Sequence, residues 1–160
     1  MADTPPNVAL VQRMYECFNR NELDPIRNEI FAPDLVWNLP GRNPLSGTKN
    51  GANEVIAFFA QLVRANIQVT LDPVNDPSTG IDTFGSDTVV EVHRGRGTAT
   101  VRDASGNESQ VTLNALNCTH YRIRDGRIAQ VQVYMSDQHA ADNFFNAVYR
   151  LKPIPDRLAD

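Results

Sequence analysis

Asp137 is the acidic residue whose type and spacing best suit proton transfer. It continues the apolar alternation of Val131, Val133 and Met135, so we expect its carboxylate to face the protein interior. A carboxylate beside an apolar cavity can serve as a general acid or base. Asp137 also precedes a helical segment, where it would cap the helix by accepting backbone N–H bonds. Both roles are open, and only the first would make this residue catalytic.

Arg94 is the candidate partner of this acid. Val90 and Val92 are expected to point inward, and Arg94 then shares their face unless Gly95 introduces a bulge. An inward guanidinium could hold an anionic or carbonyl-containing substrate, or it could neutralise Asp137 in a structural ion pair. We therefore predict Asp137 and Arg94 as the catalytic residues, with the ion pair as the alternative.

The three histidines fall on different faces of their elements. His93 shares the parity of Glu91 and is expected to point outward or into a sheet interface. His120 falls opposite Thr119, and His139 lies in the first turn of the last helix. Imidazoles placed in this way do not converge on one ion, so we predict no metal site.

Aromatic and amide side chains on apolar faces form the predicted ligand-binding set. The aromatic members would line a cavity or fill an ordinary core. The polar members must be paired or meet a ligand, because burying them alone costs free energy. The set consists of Tyr15, Trp37, Asn38, Phe58, Phe59, Asn117, Thr119 and Met135.

Helical spacing and capping signals organise the first half of the chain. They predict a helix over residues 5–19 and a short second helix that Pro33 ends. "DLVWNL" predicts a strand at 34–39, and a third helix begins at Asn50 or Gly51. The turn-forming stretch between that strand and that helix is expected to form the lip of a pocket.

The second half is rich in Val, Ile, Thr and Tyr, which favours strands. An Asp-Gly pair at 125–126 predicts a two-residue hairpin turn. The final segment predicts a helix capped by Ser136 or Asp137 and reaching Leu151. The predicted strands lie within 67–74, 80–85, 87–102, 109–124 and 126–137.

Helices followed by a run of strands predict an α+β fold. We expect a cone-shaped, strongly curved mixed or antiparallel sheet wrapped over the N-terminal helices, with an additional C-terminal helix. One domain would span 1–160, with an ordered core over about 5–151 and a tail at 152–160. Such a sheet tends to leave a ligand cavity between its layers.

Composition excludes several classes of partner. A formal net charge of −4 at pH 7 argues against nucleic acid, and "HRGRG" is the only basic cluster. The two cysteines lack the spacing of a zinc site or a disulfide framework. No apolar run has the length of a membrane span, and the start of the chain lacks a signal-peptide pattern, so we predict no membrane partner and a cytoplasmic location.

Four stretches carry a resemblance to a known family: "VQRMYECFNRNELDPIRNEIFAPDLVWNLPG", "NPLSGTKNGANEVIAFF", "THYRIRDGRIAQVQVY" and "DQHAADNFF". Together they resemble the nuclear transport factor 2-like superfamily, in its branch of SnoaL-like polyketide cyclases and ketosteroid-isomerase-like proteins. The resemblance covers about residues 8–146. It implies a cavity for an apolar small molecule, chemistry without a cofactor, and a homodimer through the outer sheet face that holds Gln130, Gln132 and Tyr134.

The catalytic positions of that superfamily are substituted here. Asn38 stands where the isomerase-like members have their basic Asp, and an amide cannot abstract a proton at neutral pH. Met14 and Thr119 stand in the places of the oxyanion-hole Tyr and Asp. Epoxide-hydrolase-like members place an Arg between two acids, whereas the acid positions beside Arg94 correspond to Arg96 and Val133.

Two functions follow from these observations. The first is an enzyme that moves protons on an apolar, oxygenated small molecule such as a polyketide, terpenoid or steroid-like compound. It would be of the isomerase, cyclase, dehydratase or epoxide hydrolase type. The second is a non-catalytic small-molecule binding protein or dimeric interaction module with the same fold, which the missing acids favour.

Overall fold

The computed structural model describes residues 4–149, and its first elements are helical. Helix α1 (Pro6–Asn19) has a proline in its first turn and buries an apolar stripe that includes Val11, Met14 and Phe18. A short helix, α2 (Leu23–Pro25), continues into a π-helical turn over Ile26–Ile30. The predicted helix at 5–19 is therefore present within one residue of its bounds.

The second helical segment ends earlier than its proline suggests. Phe31 is already extended, with φ −87° and ψ 140°, and it begins strand β1 (Phe31–Leu39). Pro33, which has no N–H to donate, lies where the pairing of β1 with its parallel neighbour shifts between Phe31 and Val36. The prediction that Pro33 ends a helix was wrong, because this proline lies at an irregularity inside a strand.

The remaining elements form one mixed sheet and two helices. The sheet order is β2-β1-β7-β6-β5-β3, and β4 also pairs with β5. The β1–β7 pair is parallel and the others are antiparallel. The bounds are β2 (Gly47–Asn50), α3 (Ala52–Arg64), β3 (Gln68–Thr70), β4 (Gly80–Thr83), β5 (Thr88–Arg102), β6 (Glu108–Arg124), β7 (Arg127–Met135) and α4 (Gln138–Val148).

The core lies between this curved sheet and helices α1, α3 and α4. The α+β cone with helices at both ends of the chain is thus as predicted. Within residues 4–149 no helix is long and apolar enough to cross a membrane. The predicted tail at 152–160 and the inward position of Leu151 lie outside the described residues.

The turn-rich stretch after β1 is attached to α4. The Asp142 carboxylate accepts hydrogen bonds from the backbone N–H of Arg42 at 2.9 Å and from the Asn43 side chain at 2.6 Å. Residues 47–50 of this stretch, which sequence analysis had treated as loop and helix start, form strand β2 and pair with β1. Asp142 therefore holds residues 42–43 next to the helix that closes one side of the interior.

Candidate active site

A cavity of about 80 Å³ lies between the inner face of the sheet and the helices. Its wall is mostly apolar, because α1, α3 and α4 each turn an aromatic side chain toward it. Among residues 4–149, four side chains with polar groups share this wall: Tyr15, Trp37, His93 and Asn117. The apolar wall includes Phe18, Leu39, Phe58, Phe59, Leu113, Val133, Met135 and Phe145.

Strand β5 presents the opposite face from the one predicted. Glu91 and His93 are buried on its inner face, at 1% and 8% exposure, and Gly95 lines the cavity behind them. The pairing of β5 with β6 runs from Thr88 to Arg102 without a register shift, so no bulge changes the alternation. The expectation that His93 points outward was wrong.

Arg94 consequently lies on the outer face, which corrects its predicted inward position. Its Nε donates to Asp76 Oδ2 at 2.8 Å, and its Nη2 donates to Ser78 Oγ at 3.0 Å. The guanidinium and the Ser78 hydroxyl hold the pKa of the Asp76 carboxyl at about 2. Arg94 thus fixes the loop before β4 and does not reach Asp137.

The Glu91 carboxylate collects three donors in the protein interior. Its Oε1 accepts from the Tyr15 hydroxyl at 2.7 Å, from the Tyr121 hydroxyl at 3.0 Å and from His93 Nδ1 at 2.9 Å. The two hydroxyls are themselves 2.6 Å apart. A buried carboxylate needs such donors, because isolated burial of its charge is very unfavourable. We refer to Tyr15, Glu91, His93 and Tyr121 as the buried polar cluster.

The two phenols of this cluster stay protonated. Burial raises the pKa of Tyr15 well above its ordinary value of 10, and the nearby Glu91 charge adds to the effect. Burial and Glu91 likewise raise the pKa of Tyr121 well above that value. Both phenols therefore act as hydrogen-bond donors to the carboxylate, and neither is suited to lose its proton.

The hydrogen bonds assign a tautomer to His93. A carboxylate can only accept, so His93 Nδ1 carries a hydrogen toward Glu91. The other ring nitrogen, Nε2, accepts from the Asn117 side-chain amide at 3.1 Å. In this arrangement Nε2 is an acceptor, and its lone pair is bound by a residue that also lines the cavity.

Most of the predicted ligand-binding residues meet at this cavity. Thr119 is fully buried but is not part of the cavity wall, and it pairs with Glu91 across β5 and β6. The predicted residues that do line the wall are Tyr15, Trp37, Phe58, Phe59, Asn117 and Met135. Their role in ligand binding remains a prediction, although their position agrees with it.

Asn38 does not take part in the cavity. Along β1, Trp37 and Leu39 point inward, so Asn38 between them points to the opposite face. Its Oδ1 accepts from the Thr48 hydroxyl at 2.7 Å across the β1–β2 pair. The prediction of Asn38 as a pocket residue was wrong because strand alternation turns it away.

Asp137 is exposed and caps helix α4. Its Oδ1 accepts from the backbone N–H of Ala140 at 2.9 Å, which is the capping role left open above. Its carboxylate is not part of the cavity wall, and the expectation that it faces the interior was wrong. Along β7, alternate side chains point inward as far as Met135, which is the last residue of the strand. Asp137 lies beyond the strand and does not continue this pattern.

Lys49 is a cation beside the cavity that sequence analysis did not single out. Its Nζ lies 4.8 Å from the centre of the Phe58 ring and donates to the Gly47 carbonyl at 3.0 Å. Partial burial lowers the pKa of this ammonium to about 8. Lys49 therefore anchors β2 against the cavity-lining Phe58.

Glu91, His93 and Tyr121 are the site residues that sequence analysis missed as candidates. A signal for them is present in β6, where the apolar alternation of Leu113 and Ala115 predicts that Asn117, Thr119 and Tyr121 face inward. Antiparallel neighbours share a face, and the observed register pairs His93 with Asn117 and Glu91 with Thr119. Within residues 4–149 no group of three His, Cys, Asp or Glu side chains converges as a metal ion would need.

Comparisons with known proteins agree with this architecture. The profile of the SnoaL-like domain family matches residues 11–131. Bal32a, from a soil-derived mobile gene cassette, is 20% identical with a TM-score of 0.71, and the match covers 88% of this chain and 96% of Bal32a. A candidate polyketide cyclase from Xanthomonas campestris pv. campestris is 18% identical with a TM-score of 0.65, covering 90% and 97% of the two chains.

TerC, which was co-crystallized with polyporic acid, is also similar. It is 20% identical with a TM-score of 0.57, and the match covers 82% of this chain and 92% of TerC. At such identities a structural match establishes the fold alone, so the activity of this chain must be argued from its own side chains.

Proposed function

The chain belongs to the SnoaL-like domain family of the nuclear transport factor 2-like superfamily, and from that premise we propose that it is an enzyme of proton transfer. Its substrate would be an apolar, oxygenated small molecule, and its chemistry would need no cofactor. Isomerisation, aldol-type cyclisation and elimination of water can each begin with removal of a proton next to a carbonyl group, and this is the step we assign to this cavity.

One observation carries the proposal: His93 lines the cavity while its Nδ1 lies 2.9 Å from the buried Glu91 carboxylate. This is the arrangement in which a carboxylate orients an imidazole and stabilises its protonated form. Tyr15 and Tyr121 hold the same carboxylate oxygen from the other side. Glu91 would therefore act as the positioning residue, and His93 as the proton carrier.

The proton-transfer step balances within the enzyme and substrate. His93 Nε2 takes a proton from the carbon next to the carbonyl, so a C–H bond breaks and an N–H bond forms. The electron pair of the C–H bond moves toward the carbonyl oxygen and gives an enolate. Return of the proton from Nε2 to another carbon of a conjugated enolate completes an isomerisation and restores the lone pair of Nε2. When the new N–H exchanges with D₂O first, return to the original carbon replaces its hydrogen by deuterium. The mostly apolar cavity wall excludes water from the enolate.

Asn117 must move before this step can occur. Its amide occupies the single lone pair of His93 Nε2 in the structure, at 3.1 Å. A base must come within hydrogen-bond distance of the proton it removes, and hydrogen bonds in unliganded sites rearrange when substrate binds. We therefore assign Asn117 a gating role, in which the substrate displaces its amide from Nε2.

Deuterium exchange tests the proposal without knowledge of the natural substrate. Compact cyclic ketones such as cyclohexanone and the hydroxycyclohexanones are incubated with the protein in D₂O, and loss of the α-hydrogen signals is followed by NMR. We expect catalysed exchange in the wild type and a loss of about 10²- to 10⁴-fold in His93→Gln, the usual contribution of one general base.

Two variants serve as controls for this experiment. His139→Gln removes an exposed histidine of α4 whose ring accepts from Asn143, and it should retain exchange. Asp137→Asn should also retain exchange, because this residue caps α4 outside the cavity. Loss of exchange in Asp137→Asn with retention in His93→Gln would return the catalytic role to Asp137 and overturn the proposal.

The second candidate function is binding without chemistry. It is favoured by one observation, namely that the Glu91 carboxylate is saturated by donors and is not part of the cavity wall. In that case the buried polar cluster specifies the packing of α1 against β5 and β6, and the cavity holds an apolar ligand unchanged. A ligand that binds tightly while its α-hydrogens never exchange would support this function.

A homodimer remains part of the proposal. Tyr134 on β7 is a large apolar side chain that is 58% exposed, and Gln130 on the same face is exposed as well. These positions agree with the outer sheet face that the family resemblance suggests. Sedimentation velocity of the wild type and of Tyr134→Glu would test it, since a charge at a paired face should shift the protein toward monomer. The cytoplasmic location likewise stays a prediction.

A further inference from the structure

Two polar atoms of the cavity-lining side chains lack a hydrogen-bond partner among residues 4–149. They are Trp37 Nε1 and Asn117 Oδ1, and both are buried. A buried donor or acceptor without a partner costs free energy that a bound group can recover. A third such atom, Thr119 Oγ1, belongs to a residue outside the cavity wall. The first two atoms therefore describe what a ligand must offer.

The two atoms require different hydrogen-bond partners, one an acceptor and the other a donor. Trp37 Nε1 is a donor only, so its partner must be an acceptor such as a carbonyl oxygen. Asn117 directs its NH₂ group to His93 Nε2 at 3.1 Å, which leaves its Oδ1 as an acceptor that needs a hydroxyl or N–H. This orientation of the amide matches a ring whose Nδ1 carries the hydrogen and whose Nε2 accepts.

The cavity also limits the size of the ligand. Its volume is about 80 Å³, well below the ~300–1,000 Å³ of sites for drug-sized ligands. Gly95 lines the cavity without a side chain. A Cβ atom at this position would contact Asn117 Nδ2 at 3.6 Å. A single ring with small polar substituents matches this space.

We propose that the cavity binds a compact hydroxycarbonyl compound, whose carbonyl oxygen accepts from Trp37 Nε1 and whose hydroxyl donates to Asn117 Oδ1. The proposal extends the proposed function by naming a substrate class. It also connects binding to chemistry, because a hydroxyl that engages Asn117 Oδ1 can draw the amide away from His93 Nε2. The indole N–H would then stabilise the enolate oxygen formed in the proton-transfer step.

The carbonyl half of the proposal is tested on the unmodified protein. Trp37 is the only tryptophan, so the ¹⁵N-labelled protein gives one indole N–H resonance. Cyclohexanone and the hydroxycyclohexanones should move this resonance downfield, whereas methylenecyclohexane of similar shape should not. A resonance that responds equally to the ketones and to methylenecyclohexane would overturn the assignment of Trp37.

The hydroxyl half is tested by calorimetric titration. In the wild type, the best hydroxycyclohexanone isomer should bind about five- to tenfold more tightly than cyclohexanone, the usual effect of one hydrogen bond to a buried group. Asn117→Leu should remove this preference. Asn114→Leu, at an exposed position on the same strand, should keep it. A preference that persists in Asn117→Leu, or is absent in the wild type, would overturn the assignment of Asn117.

Failure of this proposal is distinguishable from failure of the proposed function. In His93→Gln, cyclohexanone should still shift the Trp37 resonance, because Trp37 Nε1 makes no hydrogen bond to His93. Binding with no catalysed exchange in the wild type contradicts the enzyme and leaves the ligand class intact. Catalysed exchange without a ketone-specific shift of the Trp37 resonance contradicts the ligand class and leaves the enzyme intact.

Discussion

The Tyr15 hydroxyl lies 2.7 Å from Glu91 Oε1, which joins helix α1 to the first part of strand β5. Both residues are buried, and 76 positions separate them in sequence. The same carboxylate binds Tyr121 on β6 and His93 on β5. One acidic side chain thus fixes three elements around the cavity, and we expect its removal to lower the stability of the fold.

Glu91→Ala should lower the free energy of unfolding by about 3 kcal/mol. The substitution removes the carboxylate that two phenol hydroxyls and one imidazole N–H share as their acceptor, and it creates a cavity. Urea denaturation followed by circular dichroism measures the change. Glu16→Ala, at an exposed position of α1, should change stability by less than about 0.5 kcal/mol. A similar small effect in Glu91→Ala would show that the cluster does not stabilise the fold.

Stability should fall in alkaline solution because of Tyr15. Above pH 10 the unfolded chain releases the phenol proton, while the folded protein retains it because burial raises the pKa of Tyr15. The unfolded state then binds fewer protons, so the free energy of unfolding decreases as pH rises, by at most about 1.4 kcal/mol per pH unit for each such phenol.

Tyr15→Phe should therefore flatten the alkaline decline, although it lowers stability at neutral pH by removing a donor to Glu91. Denaturant titrations between neutral pH and the alkaline range measure the slope for each variant. Tyr134→Phe is the matched control, because Tyr134 is 58% exposed. Equal slopes for the wild type and Tyr15→Phe would contradict the raised pKa.

Gly97→Ala should destabilise the protein by about 1–3 kcal/mol through overpacking. A Cβ at this position would lie 3.2 Å from Phe144 Cζ and 3.3 Å from the Ala65 carbonyl oxygen, and it would overlap Ile67 Cδ1. Thermal unfolding measures the effect. Gly95→Ala is the control on the same strand face, since its nearest neighbour is Asn117 Nδ2 at 3.6 Å. A larger loss in Gly95→Ala than in Gly97→Ala would contradict the packing described.

Local sequence patterns were sufficient for most of the helices and strands and for the inward faces of strands β6 and β7. The alternation of Leu113 and Ala115 correctly carried Asn117 and Tyr121 inward on β6, and that of Val131 and Val133 did the same for β7. These strands have one clearly apolar face, so their hydrophobic period identifies the buried side without any knowledge of neighbours.

The inward face of strand β5 could not be identified in this way, because polar side chains lie on its buried face and valines lie on its outer face. Val90 and Val92 are only half-buried on the outer face, whereas Glu91 and His93 lie inside. An acidic residue is buried when hydrogen-bond donors surround it, and these donors come from Tyr15 and Tyr121, far away in sequence. Only the tertiary structure could place them together.

Three residues were wrongly predicted to face the cavity for the same reason, namely Asp137, Arg94 and Asn38. Their residue types suit a catalytic pocket, yet each satisfies its polar groups locally, with Ala140, Asp76 and Thr48 respectively. The sequence alone determined most of the elements, the α+β class and most of the predicted cavity-lining residues, because these follow from periodicity within single segments, and the family resemblance implied the cone. The identity of the polar groups that face the cavity depends on register and on long-range hydrogen bonds, so the tertiary structure decided it.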